Sequence, residues 1–313
     1  MSDDTVMPHH RSHSHHDHSA KPANFNRAFA IGTALNLTFV VAELIFGFAA
    51  NSLALIADAL HNFSDVIGLM LAWGAAWLAT RQPSAVLTYG YQRASILAAL
   101  ANAALLLVAV GAIAVESVQR FLEPEPVASG IVLWVAALGI LINTATALMF
   151  MRGRERDINI RGAFLHMAAD AAVSLGVVIA ALLIAWTGWF WLDAAIGMAI
   201  ALVIFVSSWG LARDGLNLAL DAVPASIDRA SVESCLQKLP GVSEVHDLHI
   251  WAMSTTETAL TAHLVRPGAG LDDGLLTDIA HQLEHRFGIK HATLQVEAGD
   301  PAHPCRLAPA DVV

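Results

Sequence analysis

Long apolar runs separated by short polar connections occupy the first two thirds of the chain. Six of these runs are long enough to cross the hydrocarbon core of a bilayer, which takes about 20 helical residues. They predict an all-α membrane domain of six transmembrane helices at residues 27–213, preceded by a disordered tail at residues 1–26. The six runs are residues 28–50, 52–80, 92–120, 128–151, 162–186 and 189–212.

Beyond residue 213 the apolar stretches become short and are interrupted by turn residues. A helix, two strands, a second helix and a third strand are predicted in that order. This order indicates a cytoplasmic α+β domain (αββαβ, ferredoxin-like) at residues 214–300, followed by a disordered tail at residues 301–313. Because so small a domain is marginally stable alone, pairing with a second copy is favoured. The five elements are predicted at residues 227–239, 245–252, 258–265, 272–287 and 291–297.

The composition agrees with a membrane protein, and the placement of the arginines predicts its orientation. The chain is 56% hydrophobic and 14% charged, whereas soluble domains carry roughly a quarter charged residues. Arginines concentrate in the connections after the second and fourth spans, so the positive-inside rule places both termini in the cytoplasm. The chain has no basic patch with interleaved aromatics, which argues against nucleic-acid binding. These loop arginines are Arg81, Arg93, Arg152, Arg154, Arg156 and Arg161.

Two H-x-x-x-D pairs lie inside predicted spans. They are His61 with Asp65 in the second span and His166 with Asp170 in the fifth. Residues four apart share one helix face, and ionisable side chains at membrane depth by default indicate function. Counted from opposite membrane faces, both pairs approach the middle of a core about 30 Å thick. If the two helices face each other, two imidazoles and two carboxylates can form a tetrahedral zinc site. The alternative is that these polar residues only join helices by hydrogen bonds.

The charges of such a site favour exchange. Two ionised aspartates with two neutral histidines carry a charge of −2, which one divalent cation or two protons can cancel. Histidine binds metal only when it is neutral, so protons and metal compete. Asp58, one turn before His61, either orients that ring or caps its helix near the outer boundary. We expect Glu43, Asn102 and Asn143, in other spans, to be packing groups.

Five motifs resemble those of the cation diffusion facilitators, closest to the bacterial zinc efflux branch related to vertebrate zinc transporters. The resemblance covers about residues 27–300. It implies a homodimer in the bacterial inner membrane that exports cytoplasmic Zn²⁺ in exchange for external protons, and that is not an enzyme. The motifs are DALHNFSD at residues 58–65, TYGYQR at 88–93, HMAAD at 166–170, VHDLHIW at 245–251 and HATLQVE at 291–297.

The resemblance also implies which residues bind the transported metal. The transport ligands are His61, Asp65, His166 and Asp170. Some members carry aspartate at the position of His61 and accept cadmium more readily, so imidazole there favours zinc, with Cd²⁺ and Co²⁺ as secondary substrates. Other members bind metal in the connection between the second and third helices. Residues 81–91 contain neither histidine nor aspartate, so we expect that site to be absent.

Further histidines lie in the cytoplasmic domain and in the first tail. The resemblance places ligands at His246 and His263, with an acid at Glu297. Strand alternation predicts that His246 and Ile250 share one face and that His249 points the other way. The tail histidines are expected to bind zinc weakly. His249 and His291 are second-rank ligands or dimer-interface groups, and the weak accessory ligands are His9, His10, His13, His15, His16, His18 and Cys305.

Two functions other than transport fit part of this pattern. A membrane-anchored zinc sensor would need the cytoplasmic ligands but leaves the two intramembrane pairs unexplained. An intramembrane metalloprotease would need an H-E-x-x-H arrangement, which the sequence lacks. The family reading makes the cytoplasmic zinc a regulatory ligand that tightens the dimer; the alternative is that it only staples a small domain.

Overall fold

The computed structural model describes residues 25–151, 158–268 and 272–309. Within these residues, six long helices are followed by a small α+β unit, which confirms the predicted fold class. The histidines of the first tail lie outside the described residues. The long helices are α1 (Phe25–Ala49), α2 (Leu53–Ala79), α3 (Ala94–Leu122), α4 (Ser129–Phe150), α5 (Ile158–Thr187) and α6 (Trp191–Ala219).

The long helices have the character of membrane spans. Among the described residues, α2 to α6 are long and apolar enough to cross a membrane, and α1 extends over 25 residues. Large apolar side chains cover the outer surface of the bundle, for example Trp73, Val108 and Trp134, which are three-quarters exposed. So large an apolar surface on a monomer suits lipid. The chain is therefore a multi-pass membrane protein.

Helix α6 is longer than its hydropathy indicates. It continues to Ala219, past the predicted end of the membrane domain at residue 213. Arg213 and Asp214 are exposed and end the apolar run without ending the helix. Gly215, one residue later, is buried against Leu100 of α3. The helix thus continues because it packs on α3, which a hydropathy pattern does not record.

Helix α2 lies at the centre of the bundle, where it packs on α1, α3, α5 and α6. Its small buried residues Ala54 and Ala57 let neighbouring backbones approach closely. They belong to one apolar core with Val177 of α5 and Ile204 of α6. The face of α2 that carries His61 and Asp65 is therefore held at a fixed position between helices.

The N-terminal end of α2 is fixed by a carboxylate from α6. Asp193 accepts hydrogen bonds from the Ser52 hydroxyl at 2.5 Å and from the Leu53 amide at 2.6 Å. Ser52 in turn accepts from the amide of Leu55 at 3.2 Å and caps the helix. A carboxylate at a helix N-terminus pairs amides that have no partner within the helix. This contact fixes the position of α2 along its axis relative to α6.

The α+β unit contains α7 (Arg229–Gln237), β1 (Glu244–Ala252), β2 (Thr258–Val265), α8 (Asp273–Phe287) and β3 (Ile289–Glu297). The sheet order is β1-β2-β3, with β1 antiparallel and β3 parallel to β2. Leu260 and Leu264 of β2 form a buried core with Leu236 of α7 and Leu283 of α8. The helices thus cover one face of the sheet, and the other face is available for polar groups.

The end of the described chain differs from the expected disorder. Residues 301–309 form turns after Gly299, whose φ of +69° reverses the backbone. Asp300 accepts hydrogen bonds from the amide of Ala302 at 2.9 Å and, through its carbonyl, from that of His303 at 3.0 Å. Local capping of this kind orders a polar segment without an apolar pattern. The turns return Cys305 to the sheet.

We expect Asp193→Ala to destabilise the protein, because it removes the acceptor of three buried donors at the start of α2. The cost of such a loss is about 1–3 kcal/mol, or more where the missing group is charged. Thermal unfolding of the detergent-solubilised protein, followed by size-exclusion chromatography, measures it. Asp214→Ala removes an exposed aspartate of the same helix and should leave the transition unchanged. Equal stability of the two variants would contradict the capping role.

Candidate metal sites

Helices α2 and α5 bring the two H-x-x-x-D pairs into one cluster. His166 Nε2 lies 3.1 Å from Asp65 Oδ2 and 3.7 Å from Asp170 Oδ2. His61 Nε2 lies 3.8 Å from Asp170 Oδ1, and the two imidazole centroids are 6.0 Å apart. The two helices therefore do meet, and the 3.1 Å contact is compatible with a metal site and with a hydrogen bond between helices.

The spacing of these groups suits a small divalent cation. His61, His166 and Asp170 each offer one ligand atom, and these atoms lie within 4.8 Å of one another. Tetrahedral bonds of about 2.0 Å hold ligand atoms about 3.3 Å apart, so these separations would have to shorten by at most about 1.5 Å to close the three around zinc. Asp65, which contacts His166 directly, stands where it can supply the fourth.

The cluster is buried on one side and open on the other. The side chain of Asp170 is 3% exposed, whereas those of His166 and Asp65 are 42% and 36% exposed. A carboxylate buried beside imidazoles needs a proton or a cation for balance. The exposed side gives an ion access to the same group.

Asp58 does not contact His61 through a hydrogen bond. Its Oδ2 accepts from the Ser174 hydroxyl at 3.3 Å, and the His61 Nδ1 atom has no hydrogen-bonding partner among the described residues. Asp58 is also fully buried rather than at a membrane boundary. The expectation that it orients the His61 ring or caps its helix is therefore corrected: Asp58 faces α1 and α5.

Glu43 is a polar group that sequence reasoning set aside as packing. It lies on α1, fully buried, beside Asp58 and Asn62 of α2. Both of its carboxylate oxygens lack a hydrogen-bonding partner among the described residues. The signal in the sequence was an acid inside an apolar run. Asn102, by contrast, accepts a hydrogen bond from Ser64 at 3.3 Å and joins α3 to α2.

A second cluster lies on the uncovered face of the sheet. His246 and His263 are register partners on β1 and β2, with ring centroids 5.2 Å apart. Glu297 of β3 lies 3.0 Å from His263 Nδ1 and 3.5 Å from His246 Nε2. Cys305 Sγ lies 3.5 Å from the same His263 nitrogen. These four residues offer ligand atoms within 4.8 Å of one another, so Cys305 belongs with the main ligands rather than with weak accessories.

The two acids of this cluster titrate differently. Although burial acts to raise the pKa of Glu297, hydrogen bonds from Cys305 and Gln295 and the nearby histidines hold it below its ordinary value. The backbone amide of Leu307 acts to lower the pKa of Cys305, but burial and the Glu297 carboxylate outweigh it and raise that pKa. The metal-free cluster thus has a carboxylate and a neutral thiol, and a metal must displace the thiol proton.

A bulge in β1 changes which side chains share a face. The register between β1 and β2 shifts between His246 and His249, where Asp247 has a φ of +48°. Ile250 consequently lies in the apolar core, not on the face of His246 as strand alternation predicted. Asp247, which the sequence analysis passed over, contacts His263 at 3.4 Å and His249 at 2.9 Å.

The remaining cytoplasmic histidines lie outside this four-residue cluster. His249 pairs with Asp247. His291 makes an edge contact with the ring of Tyr89, 5.5 Å between centroids. His281 and His285 lie on the exposed side of α8, with ring centroids 4.1 Å apart and the rings tilted by 42°. Of the second-rank ligands, the structure thus brings neither His249 nor His291 into the site.

A multi-span helical bundle with ionisable ligands facing each other between its helices, joined to a small α+β domain, defines a membrane transporter rather than an enzyme. Comparison with family models supports this class. Residues 29–218 match the cation efflux transmembrane domain, and residues 224–299 match the cytoplasmic domain of cation efflux proteins. The chain belongs to the cation efflux family.

Individual relatives cover nearly the whole chain. The metal cation efflux system protein CzcD of Cupriavidus metallidurans is 37% identical over 94% of this chain and 92% of its own. The cadmium, cobalt and zinc/H(+)-K(+) antiporter of Bacillus subtilis is 35% identical over 83% and 85%. The zinc transporter ZitB of Escherichia coli is 34% identical over 93% of each chain. The expectation that the chain is not an enzyme is thereby confirmed.

Proposed function

We propose that this protein is a proton-coupled antiporter that exports Zn²⁺ from the cytoplasm, with Cd²⁺ and Co²⁺ as secondary substrates. The observation that carries the proposal is the cluster of His61, Asp65, His166 and Asp170 between α2 and α5. The names of the relatives support metal efflux, and one of them names proton exchange. Zinc is the cargo of this site.

The proton coupling follows from the charges of the cluster. With both aspartates ionised and both histidines neutral, the site carries −2 in a region of low dielectric. One zinc ion neutralises it, and so do two protons on the histidines. Because the same nitrogens bind either the metal or a proton, occupancy by one excludes the other. The transporter would change between its inward-open and outward-open states only when the site holds either zinc or protons. Such a protein exchanges zinc for protons across the membrane.

The orientation proposed is both termini in the cytoplasm of a bacterial inner membrane. The arginines of the connections after α2 and α4 support it. The connection after α2 also lies against the α+β domain: Arg93 pairs with Asp221 at 2.6 Å, and Ser95 accepts a hydrogen bond from Thr255 at 3.1 Å. This end of the bundle and the α+β domain would share the cytoplasmic side, with the α1–α2 hairpin outside.

We further propose that the transporter acts as a homodimer, with the α+β domain regulating it by binding zinc. That domain would begin after α6 ends at Ala219 and extend to about residue 300. His246, His263, Glu297 and Cys305 would hold the regulatory zinc, and the soft thiolate favours zinc over calcium or magnesium. The histidines of the first tail would bind zinc weakly near the cytoplasmic mouth.

Transport tests the intramembrane site and separates it from a sensor. Proteoliposomes with an acidic lumen and external zinc should accumulate zinc in a trapped fluorescent indicator. Asp65→Ala or Asp170→Ala should reduce the rate by at least about tenfold, since each removes a ligand. Asp214→Asn, an exposed aspartate of α6, is the matched control. A sensor would show no flux in any variant, and normal flux in both site variants would refute the assigned ligands.

The choice of metal tests His61. His61→Asp replaces a nitrogen ligand by a carboxylate that can bind through two oxygens, which suits the larger cadmium ion. The ratio of cadmium to zinc flux in the same vesicles should therefore rise. His285→Asp makes the same change on the exposed side of α8 and should leave the ratio as it is. An unchanged ratio in His61→Asp would remove the selectivity argument.

The cytoplasmic cluster can be tested with cobalt as a coloured substitute for zinc. Wild-type protein should show a thiolate-to-cobalt absorption band that Cys305→Ser abolishes and Cys235→Ser retains, while zinc affinity falls at least about tenfold in Cys305→Ser. Because the raised pKa of Cys305 keeps its thiol protonated, affinity at this cluster should increase with pH until that pKa is passed. A band retained in Cys305→Ser would show that this thiol is not a ligand.

A further inference from the structure

Two carboxylates meet inside the bundle without any of the four proposed transport ligands between them. Glu43 of α1 and Asp58 of α2 are 0% and 1% exposed, and their side chains lie within hydrogen-bonding reach of each other. Neither Glu43 oxygen, nor Asp58 Oδ1, forms an aligned hydrogen bond with a donor among the described residues, although the Asn62 side chain lies close to Glu43. An ionised carboxylate can only accept a hydrogen bond. A hydrogen bond between Glu43 and Asp58 therefore requires a proton on one of the two carboxyl groups.

No cation balances this pair within the described part of the chain. Each arginine or lysine that forms an ion pair there does so with another acid, and these acids are Asp221, Glu116, Glu125, Glu233 and Glu257. Two ionised carboxylates in contact at low dielectric repel strongly, whereas one shared proton converts the repulsion into a charge-assisted hydrogen bond. The pair therefore holds at least one proton when the metal site is empty.

The pair lies directly behind the metal site. Asp58 accepts from Ser174, which is one turn beyond Asp170 on α5. The ionisable groups that face the pair are His61 of α2 and Asp170 of α5, both of which act through space. Helix α4 also packs on α1 but has no ionisable residue. The charge at the metal site is thus the one variable charge that the pair experiences.

Metal and proton at these two places must oppose each other. A divalent cation beside Asp170 stabilises negative charge nearby, so its arrival favours loss of the shared proton. By linkage, the proton on the pair weakens metal binding by the same free energy. This coupling has the sign that an exchanger needs. Metal binding favours release of the proton, and protonation favours release of the metal.

We propose that Glu43 and Asp58 hold a proton between them that leaves when metal occupies the site of His61, Asp65, His166 and Asp170. This inference rests on the proposed transport function and adds a proton-binding site that is separate from the metal ligands. Glu43 and Asp58 would then act as proton carriers of the exchange. A glutamic acid that stays permanently neutral as a packing group is the competing reading.

Counting protons tests the two readings. Zinc titration of the full-length protein by calorimetry, in buffers of different ionisation enthalpy, gives the protons released per zinc bound. Glu43→Gln keeps the shape of the side chain but has no proton to release, so the count should fall by about one. Asp58→Asn should give the same loss, and the double variant no further loss, because one proton is shared. Asp214→Asn should keep the wild-type count.

The other possible results of these experiments also decide whether Glu43 and Asp58 share a releasable proton. An unchanged count in Glu43→Gln and Asp58→Asn would overturn the proposal, and so would abolished zinc binding in a folded Glu43→Gln dimer, which would make Glu43 a ligand. If either variant fails to fold, zinc-induced infrared difference spectra of the wild type should show loss of a protonated carboxyl band; absence of that band would overturn the proposal. An Asp170→Ala variant that binds as many zinc ions per chain as the wild type would instead refute the intramembrane metal site itself, since the cluster of the α+β domain accounts only for the remaining zinc.

Discussion

The contact between α2 and α5 is the interaction on which the rest of the arrangement depends. It converts two separate helix faces, each with one imidazole and one carboxylate, into a single cluster in which His166 reaches Asp65 at 3.1 Å. The small residues of α2 permit this approach, and Asp193 fixes the height of α2 through the amide of Leu53. A shift of one residue along either helix would turn these side chains away from each other, since successive helix positions lie about 100° apart.

The need for charge neutrality in a region of low dielectric constrains the acidic residues around the contact between α2 and α5. The cluster between α2 and α5 contains two acids, and the pair of Glu43 and Asp58 behind it contains two more. Among the described residues, no arginine or lysine forms an ion pair with any of these four acids. Such an interior is stable only while protons or metal ions occupy it. In the proposed mechanism, these acids are the groups at which protons and metal ions exclude each other.

The two metal clusters differ in a way that suits two roles. The cluster between α2 and α5 is partly open, with the side chains of His166 and Asp65 42% and 36% exposed. The cytoplasmic cluster sits on hydrogen-bonded strands and has a thiol at Cys305, which suits longer retention of zinc. Three contacts connect them across the cytoplasmic end of the bundle, namely Arg93 with Asp221, Ser95 with Thr255, and Tyr89 with His291. These contacts join the α+β domain to the start of α3 and the connection before it.

The sequence by itself determined the helices, the order of the α+β elements and the two H-x-x-x-D pairs, because hydropathy and helical spacing are local properties of the chain. The tertiary structure decided what depends on approach between distant segments. It placed Asp58 with Glu43 rather than with His61, returned Cys305 to His263 through a turn, and moved Ile250 off the face of His246 through a bulge. It also carried α6 past residue 213 because Gly215 packs on α3. Periodicity cannot record such contacts, since each depends on where a second segment lies.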